Sequence, residues 1–258
     1  MPKPLAGIRV IELANFIAGP LCGTLLADMG ADVIKVEPPK GDMGRATPPI
    51  RNDESVSFTA LNRNKRSLVL DLKQPEAQQI CRKLAACSDV LVEAYRPGAL
   101  EKMGLGAEAL KNVNPKLIYT SVSGFGQTGP DRRRAGVNLI VEAFAGPLSV
   151  TGEPGQRPMR PGVQTADVFG ALFATYATLA SLVGAARHGG DHLGQDVDRA
   201  HAVVELTAAV VGDVDRIDPA RDRELGVLGR GDALDDDRQL RPLLAVGDEV
   251  PGDRRLMD

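Results

Sequence analysis

The chain has 258 residues, of which 43% are hydrophobic and 25% are charged, and its formal net charge is −3 at pH 7. This length can bury a sizeable core as one large domain or two small ones, and the composition is ordinary for a globular protein. A weakly acidic chain has no general basic field, so nucleic acid is excluded as an expected partner. The three cysteines, Cys22, Cys81 and Cys87, show no metal-ligand spacing and cannot all pair in disulfides.

Targeting and membrane signals are missing from the sequence. The first residues lack the basic-then-apolar pattern of a signal peptide, and no apolar run is predicted to span a membrane without interruption. Unpaired cysteines fit a reducing compartment. The sequence therefore predicts a cytoplasmic protein with no membrane segment and no metal site.

The N-terminal residues predict a βαβ unit. Residues 8–13 are typical of a short strand, residues 21–29 have helical periodicity up to Gly30, and residues 31–37 predict a second strand. Such a unit implies a parallel sheet with right-handed crossovers. A dinucleotide site with Glu37 as the ribose-binding acid is the natural alternative, but the glycine-rich phosphate fingerprint is absent. We therefore disfavour NAD and interpret Glu37 as a solvated strand end.

The same alternation of strands and helices continues along the chain. It predicts a long loop at 40–57, strands at 67–72, 89–93 and 117–122, and helices at 75–87 and 101–103. The pattern predicts an α/β fold, an open Rossmann-like parallel sheet with flanking helices. Ligands of such sheets bind outside the carboxyl ends of the strands.

Cationic and aromatic side chains follow the predicted strands. Lys73, Tyr95, Arg96 and Lys102 all stand in segments that come after a strand. Arginine and lysine suit phosphates, and a tyrosine ring suits the face of a purine. Each of them is also an ordinary surface residue when taken alone. Together they indicate a nucleotide-like ligand that carries phosphate.

Asp167 stands where a turn passes into the long apolar run 168–186. The local pattern favours an N-cap, because an aspartate side chain accepts a hydrogen bond from an unpaired N–H of the first helical turn. A second interpretation starts from the same position. The positive end of the helix dipole keeps a carboxylate ionised in apolar surroundings, and a poorly hydrated carboxylate is a usable nucleophile.

A series of short motifs runs in order along residues 4–198. They are Ala18-Gly19-Pro20, Gly30-Ala31-Asp32-Val33-Ile34-Lys35-Val36-Glu37, Asn64-Lys65-Arg66-Ser67, Arg96-Pro97-Gly98, Gly124-Phe125-Gly126-Gln127-Thr128-Gly129-Pro130, Ser149-Val150-Thr151-Gly152 and Gly194-Gln195. Taken together they resemble the family III CoA-transferases. That group includes formyl-CoA transferase, carnitine and succinate-type CoA-transferases, and α-methylacyl-CoA racemase.

The resemblance implies that Asp167 attacks an acyl-CoA thioester to form an acyl–aspartyl anhydride and then an aspartyl-CoA thioester, from which an acceptor carboxylate takes CoA. CoA is then a substrate, and no cofactor is bound permanently. Pro38 stands where the family often has an arginine, which removes one expected phosphate contact. The implied CoA contacts are Ile17, Ala18, Leu70, Asp71, Leu72, Lys73, Ala94, Tyr95, Arg96 and Lys102, with Val137 and Asn138 beside the thioester.

A racemase is the first alternative within the family. The racemase branch has a histidine near position 137 that works with an aspartate, whereas this chain has Val137 there. Its histidines, His188, His192 and His201, all follow the long apolar run, where a polar loop is predicted. Exchange of an α-proton on two sides requires two proton-transfer groups, so a transferase is preferred.

The resemblance ends near residue 198. Residues 199–258 contain no Lys, Ser, Asn, Phe, Tyr or Trp, so we expect a large domain at 1–198 and an atypical, disordered tail at 199–258. The resemblance implies a smaller domain and an interlocked homodimer in the intact family, and we expect that the smaller domain is missing from this chain. The second alternative is therefore a catalytically inactive, CoA-binding fragment of a longer enzyme.

Overall fold

A computed structural model describes residues 2–153 and 155–188, and the structural statements below refer to these residues. Two short 3₁₀ helices, Met43–Ala46 and Pro147–Val150, add to the regular elements. The strands are β1 Arg9–Leu13, β2 Asp32–Glu37, β3 Ile50–Arg51, β4 Glu54–Ser55, β5 Lys65–Val69, β6 Val90–Glu93 and β7 Ile118–Ser121. The helices are α1 Ala18–Asp28, α2 Val56–Asn62, α3 Pro75–Ala86, α4 Ala99–Lys102, α5 Ala107–Lys111, α6 Asn138–Ala145 and α7 Thr165–His188.

Five parallel strands form the main sheet in the order β5-β2-β1-β6-β7, so the predicted Rossmann-like fold is confirmed. Val10 of the central strand β1 pairs with Val33 of β2 on one side and with Val90 of β6 on the other. After β1 the chain builds outward through β2 and β5, and it then returns to add β6 and β7 on the opposite side. The carboxyl ends of β1 and β6 therefore flank the point where the strand order reverses.

The sheet is covered on both faces, which explains why its central strands bury apolar side chains on both sides. Helices α1 and α7 share one face with Val10, Val92 and other buried side chains. Helices α3, α4 and α5 contribute to the core on the other face, together with Ile11, Leu13 and Leu91. All five of these strand side chains are completely or almost completely buried.

Three segments differ from the sequence predictions. The predicted loop at 40–57 contains a 3₁₀ turn, the hairpin β3–β4 and the start of α2. β5 ends at Val69 rather than at residue 72, because Asp71 Oδ1 accepts the Lys73 N–H (3.1 Å) and this local turn replaces strand pairing. Helices α5 and α6 were not predicted, because they are short and their glycine-rich surroundings hide the helical period.

Helix α7 is long and apolar enough to cross a membrane by length and composition alone, contrary to the sequence prediction. One side of it packs in the core, where Ala171 and Ala174 are fully buried. The Thr178 hydroxyl bonds to Thr120 on β7 (2.8 Å). These contacts make α7 part of the fold of this domain.

The described residues do not include the predicted tail at 199–258, His192 or His201.

Candidate functional site

The ends of β1 and β6 are joined closely. The N–H of Ala94, directly after β6, bonds to the carbonyl of Leu13 (3.1 Å). Gly19, in the first turn of α1, lies over both strand ends. A Cβ atom at this position would come within 2.3 Å of Ala14 Cβ and 3.0 Å of Ala94 Cβ. Only glycine allows this close approach of α1 to the two strands.

The loops that follow these two strands also contact each other. The side chain of Asn15, after β1, is hydrogen-bonded to Tyr95, after β6. The structure therefore brings Ile17 and Ala18 beside Ala94 and Tyr95 at the reversal point of the sheet. This is the place where open α/β sheets bind their ligands.

The predicted contacts at 70–73 follow the edge strand β5. Leu72 is buried in the same core region as Tyr95, so this segment and the β6 loop lie on one face of the sheet. The carboxylate of Asp71 is engaged locally, since it accepts hydrogen bonds from the Lys73 N–H (3.1 Å) and Gln74 Nε2 (3.3 Å). Lys73 itself is exposed. Its ammonium is therefore accessible to a ligand at this edge.

Arg96 and Lys102 are exposed cations on the segment after β6. The carbonyl of Arg96 accepts the N–H of Ala99 at the start of α4 (3.0 Å), and α4 ends at Lys102. A cavity of about 370 Å³ opens beside this segment. Its lining residues are Pro97, Gly98, Glu101, Ala107, Tyr119, Ser121, Gln127, Thr128, Arg132 and Arg133.

Asp167 lies inside the first turn of α7, because the helix begins at Thr165. The N-cap interpretation is therefore wrong. Gly170, one turn further along, lies beside Val122, the residue after β7, so this turn sits at the carboxyl edge of the sheet. The side chain of Asp167 is half-buried, and no hydrogen bond to its carboxylate is found among the described residues.

Helix α6 caps the start of α7. Asn138 Oδ1 accepts the N–H of Asp167 (3.2 Å). Glu142 Oε1, one turn later on the same side of α6, accepts both the N–H (2.8 Å) and the hydroxyl (2.5 Å) of Thr165. Two side chains from another helix thus satisfy N–H groups that a local cap would otherwise bind. Val137, which precedes α6, is more than half exposed.

This arrangement leaves two buried polar atoms beside Asp167 without a hydrogen-bond partner in the described part of the chain. They are Asn138 Nδ2 and Glu142 Oε2. Buried polar atoms are nearly always paired, and the exceptions need an explanation, such as a bound ligand or water. The sequence prediction included Asn138 but missed Glu142. Their spacing of four residues on an apolar segment was the available signal.

The charge of Asp167 departs from the sequence expectation. Burial, and then the negative charge of Glu142, raise the pKa of Asp167 to about 6. The helix N-terminus was expected to favour the ionised form, but the two opposing effects outweigh it. At pH 7 the carboxylate is still about nine-tenths ionised. Asp167 is therefore an anion that is poorly stabilised by its surroundings.

Four buried charged side chains, which we call the buried charge cluster, lie beneath the loop after β1: Glu12, Lys35, Asp42 and Lys65. Lys35 Nζ lies 2.8 Å from both Glu12 Oε1 and Asp42 Oδ2, and Lys65 Nζ lies 2.7 Å from Glu12 Oε2. Burial disfavours the charged form of Lys35, but the carboxylates of Glu12 and Asp42 outweigh it and raise the pKa of Lys35. Burial lowers the pKa of Lys65 to about 8. Sequence reasoning did not detect this cluster, because its members are far apart along the chain.

Glu37 is buried, so its interpretation as a solvated strand end is wrong. Its carboxylate makes two 2.7 Å bonds to Arg45 and accepts a third from Ser67 Oγ (2.7 Å). The guanidinium of Arg45 lowers the pKa of Glu37 to about 2. This carboxylate is fully engaged in holding the segment after β2.

In the described ranges, no group of three His, Cys, Asp or Glu side chains is placed to bind a metal ion.

The glycine-rich segment after β7 is closed at its base. Gly124 and Gly136 are in contact, and a Cβ on either one would lie within 2.5 to 2.6 Å of the other's Cα. The Arg134 guanidinium lies 5.8 Å from the ring centroid of Phe125 and 5.2 Å from that of Phe144 on α6. Residues 125–135 therefore form a loop that starts and ends at one point, directly before α6.

The fold and the site define a Rossmann-like protein with a half-buried carboxylate of raised pKa at the carboxyl edge of its sheet. Residues 5–217 match the family model of CoA-transferase family III. The chain is 46% identical over 216 residues to the succinate–glutarate CoA-transferase of Agrobacterium fabrum, covering 81% of this chain and 53% of that protein. It is also 46% identical to the succinyl-CoA–D-citramalate CoA-transferase of Chloroflexus aurantiacus, covering 76% and 49%.

A solved structure shows the same likeness. The CAIB/BAIF family protein of Brucella suis is 35% identical, with a TM-score of 0.72, over 89% of this chain and 59% of that one. This chain belongs to CoA-transferase family III. It spans about half the length of the curated relatives that it matches.

Proposed function

We propose that this chain binds CoA thioesters at the carboxyl edge of its sheet and transfers CoA to a carboxylic acid through Asp167. The proposal rests on the surroundings of the Asp167 carboxylate. It is half-buried in the first turn of α7, its pKa is raised, and the described residues give it no hydrogen-bond donor. A carboxylate in this condition is a better nucleophile than a hydrated one.

In the first half of the reaction, a carboxylate oxygen of Asp167 attacks the thioester carbonyl carbon. The C–S bond breaks, CoA leaves as the thiolate, and the acyl group remains on Asp167 as a mixed anhydride. The thiolate then attacks the aspartyl carbonyl, which releases the donor acid and leaves an aspartyl-CoA thioester.

In the second half, the acceptor carboxylate attacks this aspartyl thioester and releases the thiolate again. The thiolate attacks the acyl carbonyl of the new anhydride, which forms the product thioester and restores the Asp167 carboxylate. Each attack places negative charge on a carbonyl oxygen. Asn138 Nδ2, buried and without a partner in the described residues, is a candidate donor to that oxygen.

The same proposal assigns CoA to the loops after β1, β5 and β6. Ile17 and Ala18 contact the thioester arm, and Tyr95 faces the adenine region. Arg96 and Lys102 are exposed cations that suit the phosphates. The contact between the β1 and β6 loops supports this assignment.

The names of the relatives indicate which substrates to propose for this chain. The names of several relatives pair succinate or succinyl-CoA with glutarate, D-citramalate or L-malate, all of which are dicarboxylic acids. We therefore propose succinyl-CoA as a donor and a dicarboxylate as the acceptor. A cytoplasmic homodimer completes the proposal.

The test is a transfer assay with succinyl-CoA and a panel of glutarate, L-malate and D-citramalate. Asp167→Asn should lower turnover at least about a thousandfold, because the amide is not a nucleophile. Asp28→Asn, which changes a carboxylate at the far end of α1, should leave turnover within twofold. Hydroxylamine should trap a hydroxamate at residue 167 in the wild type. Equal turnover in wild type and Asp167→Asn would exclude this mechanism.

A second candidate function is CoA binding without turnover. It requires only the loops after β1, β5 and β6, to which the proposal assigns CoA, and not the reaction at Asp167. Saturable CoA binding with no transfer and no hydroxamate would identify it. The racemase alternative predicts exchange of the α-proton of a 2-methylacyl-CoA in D₂O, which the transferase mechanism does not require.

A further inference from the structure

The buried charge cluster contains two carboxylates and two ammonium groups. Glu12 and Lys35 are 0% and 1% exposed, and the ion pairs run in the order Asp42, Lys35, Glu12, Lys65. The formal charges cancel. A buried ion pair gains little net stability over a well-packed apolar pair, because both charges must be desolvated. Stability alone therefore does not explain why four charges lie under one loop.

The cluster holds the backbone of that loop at two places. Lys35 Nζ donates to the carbonyl of Ala14 (2.7 Å). Asp42 Oδ1 accepts the N–H of Phe16 (3.3 Å), and it also accepts the N–H of Gly44 (2.7 Å). The loop after β1 forms no ladder at this point, so these side chains replace the backbone partners that a strand would supply.

The loop needs such support because its conformation is unfavourable. Phe16 has a φ of 65°, in the left-handed region that non-glycine residues rarely occupy, and its side chain is half exposed. Ile17, the next residue, is also outside the regular helical and extended regions, with φ −121° and ψ −68°. Strained backbone of this kind persists only where the surrounding structure fixes it.

We infer that Lys35 and Asp42 are positioning residues that hold the loop from Ala14 to Ala18 in the conformation that binds the CoA thioester. The inference rests on the proposed function, which assigns Ile17 and Ala18 to CoA. Neither Lys35 nor Asp42 reaches solvent, so neither contacts the ligand itself. They act through two backbone groups that come directly before the binding residues.

The cluster supplies its own control. Lys65 is as buried as Lys35, and both ammonium groups pair with Glu12. Lys65, however, donates to the carbonyls of Pro20 and Leu61 (2.7 and 2.8 Å), which belong to α1 and α2 and not to the loop from Ala14 to Ala18. Lys35→Met and Lys65→Met therefore remove equivalent charges, but only the first releases Ala14.

The experiment measures the Kd of CoA by isothermal titration calorimetry at a temperature where circular dichroism shows each variant folded. Lys35→Met should weaken CoA binding about tenfold, because a small displacement of binding groups is enough for such a loss. Lys65→Met should lower Tm to a similar degree and change the Kd less than twofold. Equal Kd values for wild type and Lys35→Met would overturn the inference, and so would equal losses in both lysine variants.

A second pair of variants serves if Lys35→Met does not fold. Asp42→Ala removes the acceptor of the Phe16 N–H, whereas Asp42→Asn keeps an oxygen at that place. Asp42→Ala should weaken CoA binding about tenfold. Asp42→Asn should restore most of this loss. If wild type and Asp42→Ala bind CoA with the same Kd, the inference fails but the proposed function stands. If the wild type binds no CoA, both the inference and the proposed function fail.

Discussion

The pKa of Asp167 is raised first by burial and then by the negative charge of Glu142. Asn138 binds the backbone N–H of Asp167 and leaves its carboxylate free, while Glu142 places a second negative charge nearby. Both neighbours are buried on α6. The raised pKa means that the anion exists at neutral pH but is lost in mildly acidic solution. A reaction that begins with this anion must therefore decline as the pH falls through about 6.

Glu142→Gln is expected to lower the pKa of Asp167, because it removes a like charge that disfavours ionisation. The glutamine oxygen still accepts the Thr165 N–H, so the start of α7 is retained. The pKa is measured from the ¹³C shift of the Asp167 carboxyl group during a pH titration, which does not depend on turnover. In the transfer assay, the acidic limb of the pH profile should move to lower pH. A limb that stays in place would show that Glu142 does not act on this charge.

At the scale of elements, α1 is fixed to the sheet by the contact of Gly19 with Ala14 and Ala94. The helix N-terminus approaches the ends of β1 and β6 so closely that a methyl group does not fit. This contact, rather than any side-chain hydrogen bond at the helix cap, positions the start of α1. The proposed CoA loop begins at this contact, so its geometry depends on glycine.

Gly19→Ala is expected to destabilise the fold by about 1–3 kcal/mol, because the new Cβ would meet two others at less than the normal contact distance. Gly184→Ala in α7 is the matched control. A Cβ there meets nothing within 4 Å, so alanine should stabilise the helix by about 0.5–1 kcal/mol. Urea unfolding curves of the two variants measure both values. A stable Gly19→Ala protein would contradict the close packing of α1.

The elements show how far sequence patterns reach. The five strands of the main sheet were predicted, because apolar runs of this length between helices have few alternatives. The first turn of α7 was misjudged, because its N–H groups bind Asn138 and Glu142, more than twenty residues earlier. The buried state of Glu37 was missed for the same reason, since its partner Arg45 lies on a segment predicted as an irregular loop. Contacts between distant segments carry no local signal.

At the scale of the molecule, α7 has one face in the core and one that exposes large apolar side chains. Phe169, Leu172, Tyr176 and Val183 lie on this outer face, and each is between 46% and 69% exposed. Monomeric proteins rarely expose large contiguous apolar patches, and such a patch usually marks a surface that binds another molecule. The proposed homodimer provides such a surface.

Tyr176→Glu is therefore expected to shift the protein from two chains to one, because a buried carboxylate without a partner opposes association. Sedimentation velocity measures the change in mass. Ile80→Glu is the control, since Ile80 is also exposed but lies on α3, across the sheet from α7. If the wild type sediments as a single chain, or if both variants behave alike, the homodimer proposal fails on this face.

The contact between Gly124 and Gly136 has a consequence for how the molecule can vary. The two ends of the intervening loop meet before α6 begins. Residues can therefore be added to or removed from that loop without moving the start of α6. The helix that carries Asn138 and Glu142 would stay in place while the outline of the nearby cavity changed. Residues 125–135 can thus be changed in length without displacing Asn138 and Glu142, the two residues that contact the start of α7.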